Sequence, residues 1–132
     1  IAGVVALWQA CGLTRPWNDP AADIALARRG PSSAVLVGRD AGAIVATAMV
    51  GHDGHRGWVY YVAVDPTRQG KGLGRVMMAA AEDWLRAAGV PKLQLLVRRE
   101  NAKASAFYQT LGYEESTSVM LAKWLDGREA TP

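Results

Sequence analysis

One stretch limits this chain more than any other. It reads Val62-Ala63-Val64-Asp65-Pro66-Thr67-Arg68-Gln69-Gly70-Lys71-Gly72-Leu73-Gly74-Arg75. A β-branched run ends at Asp-Pro, three alternating glycines follow, and an apolar pattern of helical period begins. A strand therefore meets a helix through a glycine-rich turn. Glycines let backbone N–H groups approach a ligand unobstructed, and the helix N-terminus adds aligned donors and a partial positive charge. That combination suits a phosphate or pyrophosphate, and Arg68, Lys71 and Arg75 add positive charge around it. A magnesium-dependent P-loop would place Ser or Thr after Gly70-Lys71, where Gly72 stands. A Rossmann fingerprint would need glycine at Arg75 or Met77 and fails at both.

The rest of the chain supplies the frame. Residues 2 to 11 place Val4, Val5, Leu7, Trp8 and Cys11 on one helical face, with Gly12 as a stop. Asp19-Pro20 is a helix start, a capping side chain before proline at the first helical position, and that helix runs to about Arg29. Ala34 to Arg39 and Ala43 to Val50 read as a hairpin around Asp40-Ala41-Gly42, and Trp58 to Val64 as a third strand. A helix from Gly72 to Ala88 carries the stripe Val76, Met77, Ala80, Ala81, Trp84, Leu85. Leu93 to Arg98 is expected as a strand, Asn101 to Leu111 as a helix, residues 117 to 125 as a last strand, and 126 to 132 as a polar tail. This order predicts an α/β (α+β) fold with a mixed, mostly antiparallel sheet flanked by helices.

At 132 residues, half of them hydrophobic, the chain is expected to form one domain. One cysteine, Cys11, excludes an internal disulfide, fits a reducing cytoplasm and reads as a small core residue. No apolar run has the length of a membrane span. The net charge of +3 is small and its basic residues are scattered, which argues against nucleic acid as partner. No His, Cys, Asp and Glu cluster has metal-ligand spacing, so no metal is expected.

The pattern Gln69-x-x-Gly72-x-Gly74 matches the coenzyme A signature Q/R-x-x-G-x-G/A. With the preceding Val-Asp-Pro, the helix after it, and a second block of Asn101, Phe107-Tyr108 and Leu111-Gly112-Tyr113-Glu114, the chain resembles the GNAT superfamily of N-acetyltransferases over roughly residues 34 to 125. Arg15-Pro16-Trp17-Asn18-Asp19-Pro20 and Asp53-Gly54-His55-Arg56-Gly57 resemble one bacterial branch, the YpeA-like acetyltransferases. Against the family pattern the first strand is missing, and the chain starts with Ile rather than Met, so an incomplete N-terminus is expected.

The resemblance implies an acetyl-CoA-dependent transfer to an amine, either a small molecule or a protein N-terminus or lysine. It implies that two strands, Trp58 to Val64 and Leu93 to Arg98, splay to admit the pantetheine of coenzyme A. Val62, Ala63 and Val64 would border it, and Gln69, Gly70, Lys71, Gly72, Leu73, Gly74 and Arg75 would hold the pyrophosphate. Asn101, Ala104 and Phe107 would line the cofactor, and Tyr108 would be the acid for the leaving thiolate. Asn101 also reads simply as a helix cap, and Tyr108 as a packing residue. Candidates for the base are Asp53, His55, Tyr60, Tyr61 and Asp19; Asp19 reads more readily as a cap and His55 as a turn residue. Arg15, Trp17, Asn18 and Asp19 would form an acceptor wall, whereas Glu114 and Glu115 read as exposed charge and Trp84 and Trp124 as core. Family members often form homodimers, which residues 119 to 125 would serve. The alternative is a noncatalytic acyl-CoA-binding sensor or scaffold.

Overall fold

The computed structural model describes residues 1–129. Its contacts group into two compact units, Ile1–Leu96 and Val97–Pro132.

The first unit holds helices α1 (Ala2–Ala10) and α2 (Pro20–Ala27), strands β1 (Ser33–Asp40), β2 (Ala43–His52) and β3 (Gly57–Val64), a short 3-10 turn at Pro66–Arg68, helix α3 (Leu73–Ala87) and strand β4 (Leu93–Gln94). The strands form one sheet in the order β1-β2-β3-β4, with the first two pairings antiparallel and the last parallel. A parallel pairing needs a crossover, and α3 supplies it. Asp19 starts α2 as expected: its carboxylate accepts the backbone N–H groups of Ala21 and Ala22. Ala41 and Gly42 both have positive φ, the geometry of a two-residue hairpin turn that follows the twist of β1 and β2.

Alternation along the strands divides the core between two faces. On one, Val4, Leu7 and Trp8 of α1 and Ile24 of α2 pack with Ala63, Met49 and Tyr61. On the other, Met77 of α3 packs with Ala46, Ala48, Leu36, Val62 and Val64. The buried positions of α3 are Met77, Met78, Ala81 and Leu85. Val76, expected in that stripe, is 60% exposed, because the face turned to the sheet is rotated toward Met78. Trp84 is half-buried beside His52 rather than in the core.

Strand β3 is not regular. Thr47 pairs with Ala63 and Met49 with Tyr60, so Ala48 alone stands opposite both Tyr61 and Val62. This is a β-bulge, and Tyr61 occupies it with φ +52°. A non-glycine residue in that region is strained and persists only when its surroundings fix it. Three contacts do so. The Tyr61 ring stacks on Trp8 with centroids 3.7 Å apart and 6° between planes. Its carbonyl accepts from Thr47 Oγ1 at 2.9 Å, and its hydroxyl donates to Asp23 Oδ2 at 2.7 Å. Thr47 is fully buried and in turn accepts from Trp8 Nε1 at 2.9 Å.

The second unit contains α4 (Ala102–Thr110), capped by Asn101, whose Oδ1 accepts the N–H of Ala104. Two strand expectations fail. The strand expected from Leu93 to Arg98 is a ladder only at Leu93 and Gln94. Residues 117 to 125 form no strand: a ladder needs a partner, none is present among the described residues, and Val119, Leu121 and Leu125 are 80%, 92% and 93% exposed. Trp124 is half-buried, with the Arg128 guanidinium 4.0 Å over its ring, and is not a core residue. Of the expected tail, residues 130–132 lie outside the described residues.

Thr47→Val keeps the volume at the bulge while removing both hydrogen bonds of the hydroxyl. It is expected to destabilise the fold by about 1–3 kcal/mol, the cost of stranding buried polar groups. Urea unfolding should show a lower midpoint with an unchanged slope.

Candidate active site

The site begins where β3 loses a neighbour. On one edge β3 pairs with β2 along its length. On the other, only Gly57 and Trp58 pair, with Leu93 and Gln94. Beyond Trp58 that edge has no ladder partner among the described residues. Val62 and Val64 are half-buried there and Ala63 is buried. An edge of this kind presents main-chain donors and acceptors to an extended ligand.

The edge runs directly into the glycine-rich turn. Asp65 stops the strand, its side chain accepting the N–H and hydroxyl of Thr67. Those two bonds hold its carboxyl below the usual range, so it stays a charged staple. Gly72 is the N-cap of α3, with φ +80° and no side chain to occupy the N–H groups of the first turn. The first hydrogen bond closing that turn runs from Val76 N–H to Gly72 O, 3.1 Å. The N–H groups of Leu73, Gly74 and Arg75 precede it, and helix geometry gives them no internal acceptor. Nothing lies within 4 Å of where a Cβ on Gly70 or Gly72 would sit. A diphosphate needs such open, donor-lined space.

The three cations expected at this turn separate. Arg68 pairs with Asp40 of the β1–β2 hairpin, with its Nε buried and unbonded. It thereby ties the turn to the hairpin, beside a groove of about 370 Å³ that Lys71, Leu73, Val76 and Met77 also line. Lys71 and Arg75 are exposed, as is Gln69, and remain available to an anion at the turn.

Helix α4 carries the remaining expected site residues. Ala104, Phe107 and Tyr108 are half-buried along it, and Asn101 is its exposed cap. The Tyr108 ring meets Phe107 and Tyr113 edge-on, with centroids 5.1 and 6.0 Å apart. Burial raises its hydroxyl pKa, so Tyr108 remains a protonated phenol at neutral pH.

The base candidates are differently employed. Asp53 accepts the N–H groups of Arg56 and His55, which hold its carboxyl below the usual range and make it a poor base. Asp19 is committed to its cap. Tyr61 is committed to Asp23, and burial together with that bond and charge drives its hydroxyl pKa far up. Tyr60, 48% exposed, has its pKa raised by burial. Arg15 donates to the carbonyls of Gly12 and Thr14 and so fixes its own loop. The Cys11 thiol is also raised by burial and donates to Val64 O, as suits a packing residue. Asp23 was not expected at all. Its only sequence signal is that it is a lone acid inside Pro-Ala-Ala-Asp-Ile-Ala-Leu-Ala, an otherwise apolar helix.

The architecture, a mixed four-stranded sheet flanked by helices, is the fold of solved acetyltransferases. The sequence profile of the acetyltransferase (GNAT) family matches residues 4–113, and the chain belongs to that family. It is 41% identical over 122 residues to an acetyltransferase of Yersinia enterocolitica, covering 92% of this chain and 86% of that one. An acetyltransferase of Sodalis glossinidius is 41% identical over 118 residues, covering 89% and 83%. Among solved structures, a ribosomal-protein alanine N-acetyltransferase from Escherichia coli is similar with a TM-score of 0.71 and 28% identity, over 86% of this chain and 73% of that one. The aminoglycoside N-acetyltransferase AAC(6')-Iy, solved in complex with CoA, shares the fold with a TM-score of 0.78 and 18% identity, over 94% and 88%. The chain is an acyltransferase of the N-acetyltransferase class. The match extends back through α1 and α2, and stops short of residues 117 to 125.

Gly72→Ala meets no neighbouring atom, so its cost is conformational. The left-handed geometry is expected to lower stability by about 1–2 kcal/mol, seen as a reduced thermal midpoint.

Proposed function

We propose that the chain transfers an acetyl group from acetyl-CoA to the amine of a small molecule or a protein, with no metal. The observation that carries this reading is the free edge of β3 running into the open first turn of α3. The edge at Val62 to Val64 suits the amide-rich pantetheine, and the turn from Gln69 to Arg75 suits the diphosphate. When bound, acetyl-CoA supplies the activated thioester.

By the family resemblance Asn101, Ala104 and Phe107 would also bind the cofactor, and a β3 backbone N–H would polarise the thioester carbonyl as an oxyanion donor. The uncharged acceptor amine attacks that carbonyl carbon. A C–N bond forms, the C–S bond breaks, and the amine gives up a proton to solvent. Tyr108 donates a proton to the departing thiolate; its raised pKa suits a donor that must be neutral before the step. Among the described residues no helix is long and apolar enough to cross a membrane and no cluster of metal ligands occurs. A cytoplasmic location and a homodimer belong to the same proposal; the exposed apolar residues Val119 to Leu121 and Leu125 support the dimer.

Saturating acetyl-CoA, at about 100 times its dissociation constant, should stabilise the protein by roughly 2.7 kcal/mol. Gly72→Glu, which sets a carboxylate against the diphosphate, should abolish that shift. No shift for the wild type at millimolar acetyl-CoA overturns the reading.

Tyr108→Phe should retain the shift and lose most of kcat. In the wild type, the alkaline limb of kcat should fall above the ordinary tyrosine value of about 10, the direction in which burial moves it. Unchanged turnover removes Tyr108 as the acid, and binding without turnover of any amine favours a noncatalytic acyl-CoA sensor.

A further inference from the structure

The acetyltransferase site leaves one charged group unused, and it stands beside β3. Asp23 is half-buried on α2. Its Oδ2 accepts the Tyr61 hydroxyl at 2.7 Å. The ion pairs among the described residues join Arg68 with Asp40, Arg86 with Glu82 and Asp83, and Arg128 with Asp126, so Asp23 has no cationic partner. A partly desolvated carboxylate is costly unless it is hydrogen-bonded or paired. The first turn of α2 offsets part of that cost through its partial positive charge. Tyr61 offsets another part and fixes one oxygen in place; its strongly raised hydroxyl pKa keeps it a donor. Among the described residues Oδ1 accepts no hydrogen bond.

Position gives this carboxylate its meaning. Tyr61 is the bulged residue of β3, next in sequence to Val62 on the edge read as the thioester's support. Asp23 is thus anchored one tyrosine side chain away from that edge, on the face shared by α1 and α2. The half-exposed Tyr60 pairs with Met49 of the same face.

We propose that Asp23 is an acceptor-binding residue: its Oδ1 receives the ammonium of a cationic amine while Tyr61 holds Oδ2. This rests on the acetyltransferase reading and narrows it to acceptors that arrive positively charged. The incoming ammonium is the counter-charge that Asp23 lacks; it is drawn to the face of β3 beside the edge read as the thioester's support, and it gives a proton to solvent before attacking as the uncharged amine. The rigid Tyr61 tether makes the carboxylate a positioned receptor.

The test compares wild type, Asp23→Asn, Asp23→Glu and Tyr61→Phe in thiol-release kinetics. The acceptors are spermidine, tobramycin and an alanine-terminated peptide, with aniline as an amine uncharged at neutral pH. Asparagine still accepts from Tyr61 but has no charge. Asp23→Asn is therefore expected to raise KM for the cationic acceptors by about tenfold or more, the size of a lost charge-assisted hydrogen bond, leaving KM for acetyl-CoA within about twofold. Asp23→Glu should recover part of the loss, and aniline should be indifferent to the charge. Equal acceptor KM values in wild type and Asp23→Asn overturn the proposal and leave Asp23 as a tie between α2 and β3. A parallel rise in both KM values with a lower thermal midpoint does the same. A wild type that binds acetyl-CoA and acetylates none of the cationic amines overturns it while the cofactor site stands. A wild type that binds no acetyl-CoA removes the acetyltransferase reading itself.

Discussion

The clamp on Tyr61 is the constraint around which the first unit is organised. A bulge at a non-glycine residue in the left-handed region costs energy that the local sequence does not return. The return comes from three separate elements: Trp8 of α1 through its ring, Thr47 of β2 through its hydroxyl, and Asp23 of α2 through its carboxylate. Both N-terminal helices are thereby fastened to the strand at one point. The strand pairs on both edges only at Gly57 and Trp58; from Val59 on, through the bulge, one edge has no ladder partner among the described residues.

An open edge in a folded protein is a liability unless something covers it. Here it continues into a turn that cannot accept a covering strand. Asp65 terminates the ladder with its own side chain, and Gly72 opens α3 without a side-chain cap. The N–H groups of Asp65, Thr67 and Arg68 are bonded internally, to Val45 O, to the Asp65 carboxylate and to Asp65 O, so the donors that helix geometry leaves without an internal acceptor are those of the first turn of α3. The charge arrangement agrees with this. Arg68, nearest the strand, is neutralised by Asp40 and serves the fold, whereas Lys71 and Arg75 remain exposed where an anion would sit.

What was legible in the sequence is what local chemistry dictates. Asp19-Pro20 and Asn101 mark helix starts because a short polar side chain at the cap satisfies backbone donors within three residues. Gly70 and Gly72 mark the turn into α3 because no other residue takes φ near +80° cheaply, while Gly74 lies inside the helix. The bulge was invisible. Nothing near Tyr61 asks for it, since it depends on partners 14, 38 and 53 residues away (Thr47, Asp23 and Trp8). Asp23 was missed for the same reason: a lone acid in an apolar helix has no meaning until the tyrosine it meets is known. The apolar run at residues 117 to 125 was misread in the opposite direction. Its composition permits a strand, but pairing is a property of two segments, and a pattern in one cannot supply the other.

The division between the clamp and the turn also separates two demands on an acetyltransferase. In the proposed reading the donor, which is large and carries phosphates, is met by backbone groups whose positions do not depend on side-chain rotamers, and glycine substitutions at the turn would act on the donor. The acceptor is smaller and, in the reading proposed here, cationic, so it is met by a single carboxylate whose position depends on a tyrosine ring. Substitutions in the clamp change stability and acceptor affinity together unless they preserve Tyr61's hydrogen bond. Asparagine at Asp23 preserves that bond and removes only the charge. Because the clamp joins α1, α2 and β2 to the strand that leads into the glycine-rich turn, the fold cannot lose Tyr61's conformation without disturbing both halves of the proposed site.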